Sequence, residues 1–283
     1  MQRDAPDPLN HATRKVAIGP LTVGGGTPFV IAGPCVIEEQ ESLVVLACQL
    51  ADMADEAGIA MVFKASFDKA NRTSHGSYRG PGLEEGLDIL ASAREASGLP
   101  VLTDVHLPEQ AERVGQVVDC LQVPAFLCRQ TDLAVACGET GKAVNLKKGQ
   151  FVDAATMGRT AEKVESTGND NVLLTERGTF FGYGRLVVDF AGLDELRALG
   201  RPVVLDATHS VQRPSGADGL TGGDRRLAPA LARAAAAFGV DGHFFEVHPD
   251  PDSSPSDGPN MVHLGSFPAV LASLNSVRNA AGS

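Results

Sequence analysis

The sequence predicts a single-domain (β/α)8, or TIM, barrel of the α/β class, opened by a short N-terminal β-hairpin. Three observations carry that expectation. Short apolar runs of strand length alternate with amphipathic stretches of helical period along the chain. Several of those runs are apolar throughout, as parallel strands covered on both faces must be. Eight of them can be placed in order, each succeeded by a helical stretch or a long loop. The rival architecture, a doubly wound open sheet, would carry a dinucleotide glycine fingerprint after a strand, and none is present.

Residues 1–15 (MQRDAPDPLNHATRK) are polar and proline-bearing, and are expected to be a flexible lead segment before a barrel domain at 16–283. Val16–Ile18 and Leu21–Val23, about Gly19-Pro20, read as a hairpin able to plug the barrel's bottom. Barrel strands are expected at Phe29–Ala32, Ala60–Phe63, Val101–Thr103 and Cys120–Val123, then Ala143–Leu146, Val172–Thr175, Val203–Leu205 and His243–Phe245. The clearest helical stretches are Glu41–Ala57, Leu83–Ser97, Ala154–Ser166 and Arg225–Phe238.

The residues at the end of each strand point to function. The first strand runs into Gly33-Pro34-Cys35, the second into Lys64, the third into Asp104 and His106, the fourth into Pro124 through Arg129. The fifth runs into Lys147 and Lys148, the sixth into Glu176-Arg177, the seventh into Asp206 and His209, the eighth into Glu246, His248 and Asp250. Barrel enzymes assemble their sites at this carboxyl end. Chemistry-bearing groups in phase after every strand favour an enzyme over a scaffold.

Composition narrows the partners. Lys and Arg number 24 against 35 Asp and Glu, a net charge of -11, which argues against nucleic acid. No apolar run reaches membrane-span length, and the N-terminus lacks a hydrophobic signal core, so a cytoplasmic protein is expected. Five cysteines without a close pair fit a reducing compartment. Against this acidic background the segment FKASFDKANRTSHGSYRGPG, Phe63–Gly82, sets Lys64, Lys69, Arg72 and Arg79 against Asp68 alone. Such a run receives a small, highly charged anion. Lys64, Arg129, Lys147 and Arg177 come from four strand ends and are expected to converge on one mouth, where a phosphate plus a carboxylate would neutralise them.

Cys35, His209, Glu246 and Asp257 offer one sulfur, one nitrogen and two carboxylates. The set suits Fe2+, Zn2+, Mn2+ or Co2+ without choosing among them. Spacing alone is a weak metal signal and slightly favours Cys35 as a packed thiol and His209 as a hydrogen-bonded loop residue.

The motifs KASFDKANRTS, SYRGPG, TDVH, PAFLCRQTDL, NLKKGQF, ERGTFFGY, DATHSVQ, FFEVHPDP and SDGP, in that order, resemble the 3-deoxy-D-manno-octulosonate 8-phosphate synthase family. The resemblance runs from about Val16 to the last helix. It implies condensation of phosphoenolpyruvate with D-arabinose 5-phosphate and water, giving an eight-carbon sugar acid for lipopolysaccharide. It places Lys64 and Lys69 at phosphoenolpyruvate, Lys147 and Arg177 on its phosphate, and Gln122 and Ala125 along the pocket wall. Asn71, Arg72, Thr73 and Ser74 resemble the arabinose 5-phosphate site. Phe126 and Arg129 are implied to reach a neighbouring subunit's site, in an assembly that is typically a homotetramer. Lys64, Lys69, Asp104 and His106 form the expected catalytic group, with His106 the candidate for proton transfer.

The family has a metal-independent branch that resembles GGMN after the first strand. This chain reads AGPC there, so the resemblance implies the metal-dependent branch, with Cys35, His209, Glu246 and Asp257 as ligands of a divalent metal. One departure is SGADGLTGGDRR, where Asp224 precedes Arg225-Arg226 and leaves the role of that loop open. The alternatives are the related seven-carbon synthase, a sialic-acid-type synthase, which Asn71 to Ser74 disfavour, and a catalytically inactive barrel kept for binding.

Overall fold

A computed structural model of the chain describes residues 11–72, 75–214 and 222–282. The hairpin is β1 (Lys15–Ile18) with β2 (Leu21–Gly24), antiparallel, Ile18 opposite Leu21. The barrel strands are β3 (Phe29–Gly33), β4 (Ala60–Lys64), β5 (Val101–Asp104), β6 (Cys120–Val123), β7 (Ala143–Lys147), β8 (Val172–Glu176), β9 (Val203–Asp206) and β12 (Gly242–His248). They pair in parallel in that order, and β12 pairs both β9 and β3, which closes the cylinder. A two-residue ribbon of β10 (Gln212–Arg213) and β11 (Gly222–Gly223) stands above β9, and β13 (Val262–His263) extends the end of β12. Helices α1 (Gln40–Ala57), α2 (Leu83–Ser97), α3 (Pro108–Gly115) and α4 (Thr131–Glu139) alternate with the first strands. Helices α5 (Ala154–Glu165), α6 (Phe190–Ala198), α7 (Ala228–Phe238) and α8 (Phe267–Ala281) complete the outer ring.

The expected strands are all present, but most run further than their apolar pattern. β4, β5, β7, β8 and β9 each end on a charged residue: Lys64, Asp104, Lys147, Glu176 and Asp206. A charge marks a boundary in a sequence pattern, yet here these side chains are buried, with Lys64 paired to Asp104, Lys147 to Asp206 and Glu176 to Lys148. The expected helix at Arg225 starts at Ala228, after a 3-10 turn over Arg225–Leu227.

Two cores hold the barrel. One lies between the strands and the helices. The other fills the cylinder, where Val16, Ile18 and Val23 of the hairpin meet Phe29, Leu102 and Phe244. The hairpin therefore plugs the amino end. Burying these large side chains is worth roughly 1.5–3 kcal/mol each before entropy is charged. Because one end is sealed with hydrocarbon, polar inward side chains collect at the other.

Gly33 lets the first strand turn into the site. Its φ is +153°, and a Cβ there would lie 2.0 Å from the Lys64 carbonyl oxygen. Only glycine permits that approach.

Candidate active site

The carboxyl ends of the strands enclose a cavity of about 910 Å3. Lys64, Lys69, Asn71, Arg72, Asp104 and His106 line it from β4, β5 and their loops. Gln122, Ala125, Phe126, Lys147, Arg177, His209, Glu246 and Asp257 line the rest. The strand-end cations thus share one cavity, with one exception. Arg129 is exposed and is not on the cavity wall, because the 3-10 turn Ala125–Leu127 carries the chain outward and Phe126 itself is 54% exposed. The expected four-cation mouth is therefore Lys64, Lys147 and Arg177, joined by Lys69. Thr73 and Ser74 lie outside the described residues, as do 215–221 of the departing loop. In that loop Asp224 pairs with Arg226 at 2.8 Å, and Arg225 pairs with Asp252.

The buried cations are arranged by carboxylates. Lys64 donates to the Cys35 carbonyl at 2.8 Å and stands 3.7 Å from Glu246 and 3.9 Å from Asp104. Lys147 pairs with Asp206 and sits over the Phe244 ring, 3.6 Å from its centroid. Burial pushes the Lys147 ammonium down, while Asp206 works to hold its proton on. Burial likewise lowers Arg177, opposed by Asp206 and Asp257. Among the described residues, the buried Nη1 of Arg177 has no hydrogen-bond partner. An unpaired buried guanidinium nitrogen is costly unless an anion meets it.

Asp104 has both oxygens committed. Ser66 donates to Oδ2 and Gln122 to Oδ1 at 2.7 Å. Burial works to raise this carboxyl, but Lys64, His106 and the two donors outweigh it and hold it well below the usual range. Behind Gln122 the chain continues: Asn145 donates to Gln122 at 2.8 Å, and Thr175 donates to Asn145 at 2.6 Å. The imidazole of His106 stacks edge-on against Phe67, and its buried Nδ1 has no hydrogen-bond partner among the described residues. Burial lowers its pKa, so the ring is biased toward the neutral form.

Sulfur and carboxylate donors converge beside this polar floor. Ligand atoms of Cys35, Glu246 and Asp257 lie within 4.8 Å of one another. His209 Nε2 is 3.5 Å from Glu246 Oε1, and its Nδ1 faces Asp206 Oδ2 at 2.6 Å. Among the described residues, neither oxygen of the fully buried Glu246 has a hydrogen-bond partner. Two orphaned carboxylate oxygens beside a thiol and an imidazole nitrogen are a donor set that a divalent cation satisfies. The residues present therefore fit such a metal. Asp257 adopts a left-handed backbone, φ 55°, which is uncommon for a side-chain-bearing residue.

Sequence reasoning missed Ser66, Asn145, Gln150, Thr175 and Gln212. All are uncharged, so no charge count could flag them. Asn145 did leave a signal, as a polar residue between apolar neighbours inside its strand.

Comparison with known proteins assigns this arrangement to a lineage. The model of the DAHP synthetase I family matches residues 11–281. The chain belongs to that family. Within it, the chain is 54% identical over 262 residues to the 2-dehydro-3-deoxyphosphooctonate aldolase of Desulfatibacillum aliphaticivorans, covering 92% of this chain and 96% of the relative. It is 53% identical over 266 residues to the protein of the same name from Syntrophotalea carbinolica, covering 94% and 95%. The likewise-named protein of a Cyanothece strain is 51% identical over 268 residues, covering 94% and 98%.

Proposed function

We propose that the chain condenses phosphoenolpyruvate with D-arabinose 5-phosphate and water, yielding 3-deoxy-D-manno-octulosonate 8-phosphate and inorganic phosphate. The observation that carries this reading is the full-length similarity to aldolases of that product, over a chain whose cavity gathers Lys64, Lys69, Lys147 and Arg177.

Lys147 and Arg177 receive the phosphate of phosphoenolpyruvate, and Lys64 and Lys69 its carboxylate end. Fixing the enol phosphate in this way converts a bimolecular encounter into a local one. Asn71 and Arg72, with Thr73 and Ser74, receive the sugar phosphate. Arg72 is already held near the rim, donating to the Pro255 carbonyl at 2.6 Å. Carbon 3 of the enol then forms a bond to the sugar aldehyde carbon, and the aldehyde oxygen takes a proton. His106, biased toward the neutral form and with a buried, unpaired Nδ1 among the described residues, takes a proton from the attacking water and passes it to that aldehyde oxygen. Water adds at carbon 2, giving one proton to His106 and keeping the other on the new hydroxyl. The carbon–oxygen bond to phosphate then breaks with both electrons leaving on the phosphate, which takes the hydroxyl proton as carbon 2 becomes the ketone. Asp104 does not transfer a proton here; it orients Lys64 and is itself fixed by Ser66 and Gln122.

Cys35, His209, Glu246 and Asp257 would hold a divalent metal. When bound, it would supply Lewis acidity toward a water or substrate oxygen. The same reading carries a cytoplasmic location and a homotetramer. Support for assembly comes from Phe126, Phe151, Phe181 and Tyr183, which are half to almost fully exposed on loops at the barrel mouth.

A sugar-phosphate comparison tests the reading. Arabinose 5-phosphate should be condensed far better than erythrose 4-phosphate, with an eight-carbon product detected by mass. Preference for the four-carbon sugar would transfer the chain to seven-carbon synthesis.

A further inference from the structure

One uncharged side chain touches both halves of the site. Gln212, the first residue of β10, is 9% exposed, and its amide is used at both ends. Its Oε1 accepts from Arg177 Nη2 at 2.7 Å, and its Nε2 donates to Asp257 Oδ1 at 3.0 Å. The two partners are thereby divided. With Nη2 committed, Arg177 is left with the buried Nη1, unpartnered among the described residues. With Oδ1 committed, Asp257 is left with Oδ2, which meets Cys35 Sγ at 3.2 Å, Ser256 Oγ at 3.1 Å and Lys69 Nζ at 3.4 Å. An amide suits this bridge because one end must accept from a cation and the other must donate to an anion.

We propose that Gln212 is a positioning residue that aims Arg177 Nη1 at the substrate phosphate and Asp257 Oδ2 at the metal, coupling the occupation of the two sites. The inference rests on the proposed roles of Arg177 as a phosphate clamp and Asp257 as a ligand. Phosphate on Nη1 immobilises the guanidinium, which fixes Gln212 and so pre-orders Asp257. Metal on Oδ2 does the reverse. Linkage makes the effect equal in both directions. Outer partners of metal ligands typically change affinity tenfold to a hundredfold when lost.

The test titrates Co2+ into metal-stripped protein, read by its absorption bands, with and without saturating inorganic phosphate. In the parent, phosphate should tighten Co2+ severalfold. Gln212→Met, close in shape but without the amide, should weaken Co2+ and phosphate each by roughly tenfold. It should also bring the phosphate-induced factor close to one, in protein that a thermal scan shows still unfolds cooperatively. Ser256→Ala touches Asp257 but not Arg177, so it should weaken Co2+ and keep the factor. Unaltered affinities and an unaltered factor in Gln212→Met would overturn the proposal while leaving the site reading intact. A parent that binds no Co2+ would overturn both.

Discussion

Lys147 is 5% exposed, and its ammonium is shared between Asp206 and the face of Phe244. Removing one member of a buried pair leaves an uncompensated charge, so such residues persist where a ligand uses them. Lys147→Met should therefore lower kcat/KM for phosphoenolpyruvate by about a hundredfold or more, equivalent to about 2.7 kcal/mol. A loss under threefold in steady-state assays would remove Lys147 from the phosphate clamp. Cys35 offers a second residue-scale test. Cys35→Asn should bind Co2+ more weakly and lose the sulfur-to-metal absorption band, while turnover in the parent should vanish under a strong chelator and return with added metal. Retention of the band in the variant would exclude Cys35 as a ligand. Charged groups such as these were legible in the sequence, because each comes directly after an apolar run. Gln212 was not, since an amide in a loop reads as ordinary loop polarity until its two partners are located.

At the scale of elements, β12 carries opposite demands on its two faces. Phe244 and Glu246 point into the cylinder, while His243 packs outward, its Nε2 donating to the Ala232 carbonyl of α7 at 2.9 Å and its Nδ1 3.5 Å from Arg278 of α8. Burial, then Arg278, lowers its pKa from 6.5 to about 3. Between those values the unfolded chain binds a proton that the folded chain does not. Stability contributed by neutral His243 is thus complete above about pH 6.5 and lost as pH falls toward 3. Urea unfolding should show about 1–2 kcal/mol less stability at pH 5 than at pH 7 from this group. His243→Gln should flatten that slope, and an identical slope in the variant would assign the acid sensitivity elsewhere. Strand and hairpin positions were readable from apolar patterning. Strand ends were not, because Lys64, Asp104 and Asp206 remain in the sheet only by virtue of partners contributed by distant strands.

Across the whole molecule, closure brings the first and last strands together, so Cys35 and Asp257, far apart in sequence, share a hydrogen bond at 3.2 Å. Sequence order alone placed these groups after neighbouring strands, but it could not say that Arg129 would be carried out of the cavity. That outward placement, with the exposed aromatics at the mouth, leads to an assembly prediction. Sedimentation should show a tetramer, and Arg129→Ala should lower activity although Arg129 lies off its own cavity wall. A fully active monomer would contradict both statements. The central claim is a condensation that links phosphate loss to the sugar, and its most direct measurement is inorganic phosphate released from phosphoenolpyruvate. The account predicts release only when arabinose 5-phosphate is present, one phosphate for each sugar consumed. Release without the sugar, or none with it in metal-loaded protein, would contradict it.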